Sequence, residues 1–170
     1  LLAETDASVS ISEPGLVNGI VASLKNDKSK SACNGLLSSA INGLFRPNNN
    51  VLLRGYVKCT SWNVLMARSI HEALPQVPTI FIHRDPLMVM ASLERGNAGF
   101  MANPEMYHGL HGIRHFEDTR EQTANILAGF LRAGLDAEAS GFCRLVSYTD
   151  IVTRMVDGDL PDYFEYEVDQ

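Results

Sequence analysis

Thr79-Ile80-Phe81-Ile82-His83-Arg84-Asp85-Pro86-Leu87-Met88-Val89-Met90-Ala91-Ser92 is the stretch from which the rest of this 170-residue sequence is read. It opens with a β-branched and aromatic run, the composition of a short buried parallel strand. Asp85 then stands where a helix N-cap belongs and Pro86 at the first helical position, which predicts a helix to about Arg95. In an open α/β sheet, ligands bind beyond the carboxyl ends of the strands. Arg84 sits at such an end with a rigid fork of donors, and Ser92, about two turns into the helix, adds a hydroxyl. An Arg and a Ser beside a helix N-terminus suit a phosphate; the plainer alternative is an Arg bonded to nearby carbonyls. His83-Arg84-Asp85 also coincides with the start of a protein-kinase catalytic loop. That motif continues with Leu and needs Asn five residues after its Asp, whereas this chain has Pro86 and Met90 and no glycine-rich loop upstream.

Outward from this segment, strand and helix signals alternate. Ser8 to Ser12 alternates strictly and predicts a strand ended by Glu13-Pro14-Gly15. Residues 16–24 predict a short helix, followed by a polar loop from Lys25 to Ser31. Leu36, Leu37, Ala40, Ile41, Leu44 and Phe45 recur at helical spacing, and Pro47-Asn48-Asn49-Asn50 stops that helix. Val51 to Val57 reads as a strand and Ser61 to Leu74 as a helix, with Trp62, Leu65, Met66, Ile70 and Ala73 on its apolar face. Residues 96–118 are rich in Gly, Asn and His and read as a long functional loop. Thr119 and Gln122 form a capping-box pair for a helix to about Leu135; a strand follows at Cys143–Ser147 and a helix at Thr149–Val156. The order predicts an α/β fold with a mainly parallel sheet covered on both faces, in one domain spanning residues 1–170. Leu1 to Thr5 reads as the end of a helix begun earlier, so a chain lacking its true N-terminus is expected.

Composition narrows the function classes. With 45% hydrophobic residues the chain can bury a real core and is not a disordered tail. It holds no run of about 18 apolar residues to cross a membrane, and no basic-then-apolar leader opens it. The net charge of −6 comes from residues 157–170, which hold six acidic side chains and no Lys or Arg; the rest of the chain balances 14 acidic against 14 basic residues. That acidic C-terminal end reads as a solvated run. Without a basic stripe, nucleic acid is not an expected partner. Cys33, Cys59 and Cys143 are odd in number and widely spaced, which fits reduced thiols and makes the cytoplasm the default location.

The segment Arg84-Asp85-Pro86 with Ser92 eight residues after the Arg resembles the 3′-phosphate-binding motif of sulfotransferases, enzymes that use 3′-phosphoadenosine 5′-phosphosulfate (PAPS). In that family the Arg and Ser of the motif grip the 3′-phosphate, which would be the work of Arg84 and Ser92. An acidic residue often stands four positions after the Arg; here it is Met88. Ser12-Glu13-Pro14 resembles the segment of several sulfotransferase branches that presents a Glu as general base. Lys58, ending the second strand, resembles a Lys that some branches place near the transferred sulfuryl group. Leu145-Val146-Ser147-Tyr148-Thr149-Asp150-Ile151 resembles the family's strand ending in Tyr-Glu-Asp-Leu, whose Tyr lies by the adenine; Thr149 replaces the Glu. The resemblance covers roughly residues 1–165, and its specific element is the spacing from Arg84 to Ser92.

The resemblance implies a three-layer α/β/α fold of the P-loop NTPase type without its first strand and P-loop, since the family's 5′-phosphosulfate loop would end just before Leu1. It implies PAPS as co-substrate, no metal cofactor, and a hydroxyl or amine acceptor on a small molecule, carbohydrate or peptide. Glu13 and Lys58 would serve catalysis, and Arg84, Ser92 and Tyr148 would bind the nucleotide. This chain alone would bind PAPS weakly and transfer nothing efficiently. Glu13 has the plainer reading of a solvated turn residue, Lys58 of a strand-end cation, and Tyr148 of a residue packed at a sheet edge. Trp62 belongs with the core. His108, His111 and His115 share helical spacing, but Gly109 and Gly112 argue against a helix and so against a metal site; they are expected to line the 96–118 loop, which in the family shapes the acceptor pocket. Two other classes compete: a non-catalytic relative that binds a nucleotide or a protein, and a small-molecule kinase, which would want Asp85 to hold Mg²⁺.

Overall fold

A computed structural model describes residues 8–24, 30–45, 54–94, 96, 99–156 and 158–164. The expected helix end at Leu1–Thr5, the loop positions 25–29, the stop at Pro47–Asn50, the first residues of the strand expected from Val51, and Asp157, Glu165, Glu167 and Asp169 lie outside them. The chain divides into two units, Leu1–Gln76 and Val77–Gln170. Each is a small α/β unit built on one parallel strand pair.

In the first unit, β1 (Ser8–Ser12) pairs in parallel with β2 (Arg54–Lys58), with Ser12 opposite Lys58. Parallel neighbours need a long crossover, supplied here by α1 (Gly15–Ser23) and α2 (Lys30–Leu44). Val17, Val21 and Leu24 of the first crossover stretch meet Cys33 and Leu37 in a buried cluster. Trp62, Met66 and Ile70 pack against it, as the apolar stripe predicts.

The helix expected over Ser61–Leu74 is two pieces, a 3-10 helix at Ser61–Met66 and α3 at Ala67–Ala73. The tighter winding begins where Asn63 N–H donates to Thr60 O, three residues back, while the Asn63 side chain is bound inside the unit.

In the second unit, β3 (Ile80–His83) pairs in parallel with β4 (Arg144–Ser147), and α4 (Pro86–Leu93) and α5 (Thr119–Ala139) lie between them in the chain. The Asp85 cap is as expected: its Oδ1 accepts from Leu87 N–H at 2.8 Å, with Pro86 at the first helical position. The α5 start differs from expectation. Asp118, one residue earlier than the predicted Thr119, is the cap, its Oδ1 accepting from both Arg120 and Glu121 N–H at 2.9 Å. Gln122 takes no part in the cap and is buried, where it holds the incoming loop through Phe116 N–H and Arg114 O. The helix also runs past Leu135 to Ala139.

Ile126, Gly129, Phe130, Ala133, Gly134 and Ala137 recur at helical spacing as the buried face of α5. The 96–118 stretch holds two short 3-10 turns, Gly99–Ala102 and Pro104–Tyr107, and is anchored by Tyr107 and Ile113, 3% and 1% exposed. Tyr107 meets the Phe130 ring edge-on, and a Cβ at Gly129 would collide with Ile113.

The chain closes with α6 (Ile151–Val156) and α7 (Leu160–Tyr163). The helix expected from Thr149 starts at Ile151 because hydrogen bonds among Ser147, Thr149 and Asp150 side chains hold a turn there. The acidic end reads in the sequence as a solvated run, but its first part is docked. Asp159 accepts from Arg144 at 2.8 Å and Arg154 at 2.9 Å, and Leu160 is fully buried. Arg144 also stacks 4.1 Å above the Tyr163 ring, whose hydroxyl bridges Thr79 N–H and Thr79 O at the head of β3. No helix of the described residues is long and apolar enough to cross a membrane.

Candidate functional site

Both strand pairs carry the sequence-selected residues at their carboxyl ends, where α/β folds place ligands. In the first unit the ladder runs one step past Ser12–Lys58, with Glu13 N–H donating to Lys58 O at 2.7 Å. The side chains follow the backbone: Lys58 Nζ lies 3.1 Å from Glu13 Oε1. Glu13 thus pairs with Lys58, two residues singled out separately in the sequence. Lys58 is 69% and Glu13 48% exposed, so the pair contributes only about 0–1 kcal/mol to stability. Glu13 has φ +50°, a left-handed conformation unusual for a residue with a side chain. Such strain costs on the order of 1–3 kcal/mol and collects at functional turns.

Behind the pair lies a polar cluster that the sequence did not single out. Asn18 Oδ1 accepts from Thr60 Oγ1 at 3.1 Å and from Asn63 Nδ2 at 3.0 Å. Asn63 is 2% exposed. In a helical stripe an asparagine marks the polar face, so periodicity carried no sign of its burial. Cys59, beside this cluster, is exposed at its surface; crowding by its neighbours pushes its thiol up, and a hydrogen bond with Asn63 opposes that.

In the second unit β3 delivers Arg84 and β4 delivers Tyr148. The pairing of His83 with Ser147 continues through Tyr148 N–H donating to His83 O at 2.8 Å, which brings the next residues of both strands level. The Arg84 guanidinium lies 5.3 Å from the centroid of the Tyr148 ring, within cation–π range. Arg84 is exposed, and among the described residues no carboxylate pairs with it. Ser92 is exposed on α4. Arg84 just before α4 and the exposed Tyr148 ring offer a cation and an aromatic face that can take an anion attached to a flat base, whereas Ser92 stands in the last turn of α4. No protein-family model, curated protein or solved structure matches this chain.

The histidines fall into two contacts. His108 and His115 meet edge to face with ring centroids 5.6 Å apart, and His111 Nδ1 lies 3.5 Å from Asp136 Oδ2. His111 has φ +45° between the positive-φ Gly109 and Gly112, a loop conformation that breaks the shared helical face. Among the described residues no group of three or more His, Cys, Asp or Glu is arranged to hold a metal ion. Asp85 is spent on its cap.

Proposed function

We propose that this chain is a PAPS-dependent sulfotransferase domain that transfers a sulfuryl group to a hydroxyl or amine acceptor. The observation that carries this reading is the β3–Arg84–Asp85–Pro86–α4 segment, with its Asp85 cap, its exposed Ser92 and the Tyr148 ring beside Arg84. Arg84 and Ser92 hold the 3′-phosphate, and Tyr148 lies by the adenine. The acceptor oxygen or nitrogen attacks sulfur, the bond from sulfur to the bridging oxygen of the 5′-phosphate breaks, and adenosine 3′,5′-bisphosphate leaves. The acceptor proton passes to the Glu13 carboxylate, and Lys58 neutralises charge on the sulfuryl oxygens or the bridging oxygen. As in phosphoryl transfer, the protein's part is positioning and charge stabilisation. The reading brings with it the three-layer fold of that family, no metal cofactor, and a cytoplasmic setting suited to unpaired thiols.

Binding of adenosine 3′,5′-bisphosphate to the full-length protein tests it. Arg84→Ala weakens binding by at least about tenfold, as loss of a charge-assisted phosphate contact should, and Ser92→Ala by less. Unchanged affinity in Arg84→Ala removes the reading and leaves a structural motif.

A further inference from the structure

A buried polar side chain has to find partners, so a buried asparagine bonded to its own helix cap and to a second helix shows what a fold is holding still. Asn63 donates from Nδ2 to Asn18 Oδ1 at 3.0 Å, accepts from Thr60 Oγ1 at 3.2 Å, and donates from its backbone to Thr60 O at 3.0 Å. Thr60 Oγ1 also reaches Asn18 Oδ1 at 3.1 Å, so its single proton is shared between two acceptors. Asn18 is in the first turns of α1, where its N–H donates to Pro14 O at 3.1 Å. The cluster therefore ties the residues just after Glu13 to the residues just after Lys58. An exposed ion pair is too weak to keep Glu13 in a left-handed conformation unaided.

We propose that Asn18, Thr60 and Asn63 form a bracket that positions Glu13 and Lys58 side by side at the strand ends, with Asn63 as its buried centre. What the positioned pair does rests on the sulfuryl-transfer reading; that the bracket positions it does not. Asn18 Oδ1 is the shared acceptor. Asn18→Asp keeps that oxygen, whereas Asn18→Leu and Asn63→Leu remove one partner and leave the others unsatisfied in the interior.

Two measurements on the full-length protein test the bracket together. Hydrogen exchange at the Glu13 amide, which bonds to Lys58 O, speeds up by at least about tenfold in both leucine variants and stays within about twofold of wild type in Asn18→Asp. Sulfuryl transfer from PAPS shows kcat down by at least about tenfold in the leucine variants, with KM for PAPS within about twofold, and Asn18→Asp restores it. If a leucine variant does not fold, Thr60→Val removes the hydroxyl at constant shape, and a rise of about threefold in Glu13 exchange is expected. Wild-type transfer with unchanged Glu13 exchange and unchanged kcat in the variants overturns the bracket and leaves the transferase reading intact. A responsive Glu13 amide in a wild-type protein that transfers no sulfuryl group does the reverse.

Discussion

Arg84 and Tyr148 come from strands β3 and β4, more than sixty residues apart in the chain, and their side chains meet with the guanidinium 5.3 Å from the ring centroid. Parallel pairing puts His83 opposite Ser147, so the first residue beyond each strand arrives at the same edge. Tyr148 is 57% exposed, which leaves it open to a solute while it steers the cation. A cation–π contact at such a site is worth about 0.5–1 kcal/mol. Tyr148→Phe is therefore expected to keep the affinity for adenosine 3′,5′-bisphosphate within about twofold, and Tyr148→Leu to lower it by about two- to fivefold. Calorimetric titration of the three proteins checks the order.

Arg84→Lys separates charge from shape. Lysine keeps the positive charge but loses the planar fork that engages two oxygens at once. Affinity for the bisphosphate should fall between those of wild type and Arg84→Ala. An Arg84→Lys protein that binds as tightly as wild type would show that Arg84 acts as a point charge only.

Glu13 and Lys58 give a kinetic prediction. If the Glu13 carboxylate accepts the acceptor proton, Glu13→Gln lowers kcat by about 10²–10⁴-fold while PAPS affinity changes little. Single-turnover transfer at saturating PAPS measures it. Equal rates in Glu13→Gln and wild type would return Glu13 to the plainer role of a turn residue.

Acid stability should depend on Asp159. The side-chain hydrogen bond from Arg154 holds its carboxyl below the usual range, with the nearby charges of Arg154 and Arg144 adding to the effect. A carboxyl depressed in the folded state stabilises above its unfolded pKa of about 4 and loses that contribution as pH falls through the folded value. Wild type should thus exceed Asp159→Asn in stability at neutral pH, and the gap should close below about pH 4. Urea midpoints of both proteins across a range from about pH 2 to about pH 7 follow it.

The α5 glycines are packing positions. A Cβ at Gly134 would lie 2.5 Å from Phe81 Cδ1, on the same strand that presents Arg84. Gly134→Val should destabilise by about 1–3 kcal/mol, the range for overpacking, although valine in place of glycine would otherwise favour the helix. A lowered urea midpoint with unchanged slope reports it.

The parts of the fold with strong local signals were legible in the sequence. The strict alternation of Ser8–Ser12, the Asp85-Pro86 helix start and the apolar stripe of α5 each depend on neighbours within a few residues. The misread places depend on particular side-chain partners, near or far in the chain, that neither periodicity nor charge pattern shows. The buried side chain of Asn63, in the tight Ser61–Met66 turn, is held by Asn18, 45 residues distant. Asp118 takes the α5 cap that Thr119 and Gln122 also fit, and Gln122 is drawn inward by the loop it supports. Asp159 reads as one more charge in an acidic run until its arginine partners are in place. For the site, the residue types were readable, but the Glu13–Lys58 and Arg84–Tyr148 pairings come from strand register, which no single segment encodes.

Calorimetric titration of the full-length protein with adenosine 3′,5′-bisphosphate and with 5′-AMP reads out whether Arg84 and Ser92 recognise a 3′-phosphate. With a 3′-phosphate site at Arg84 and Ser92, the bisphosphate binds at least about tenfold tighter, a difference of about 1.4 kcal/mol, and Arg84→Ala abolishes the preference. Equal affinity for the two nucleotides would contradict it.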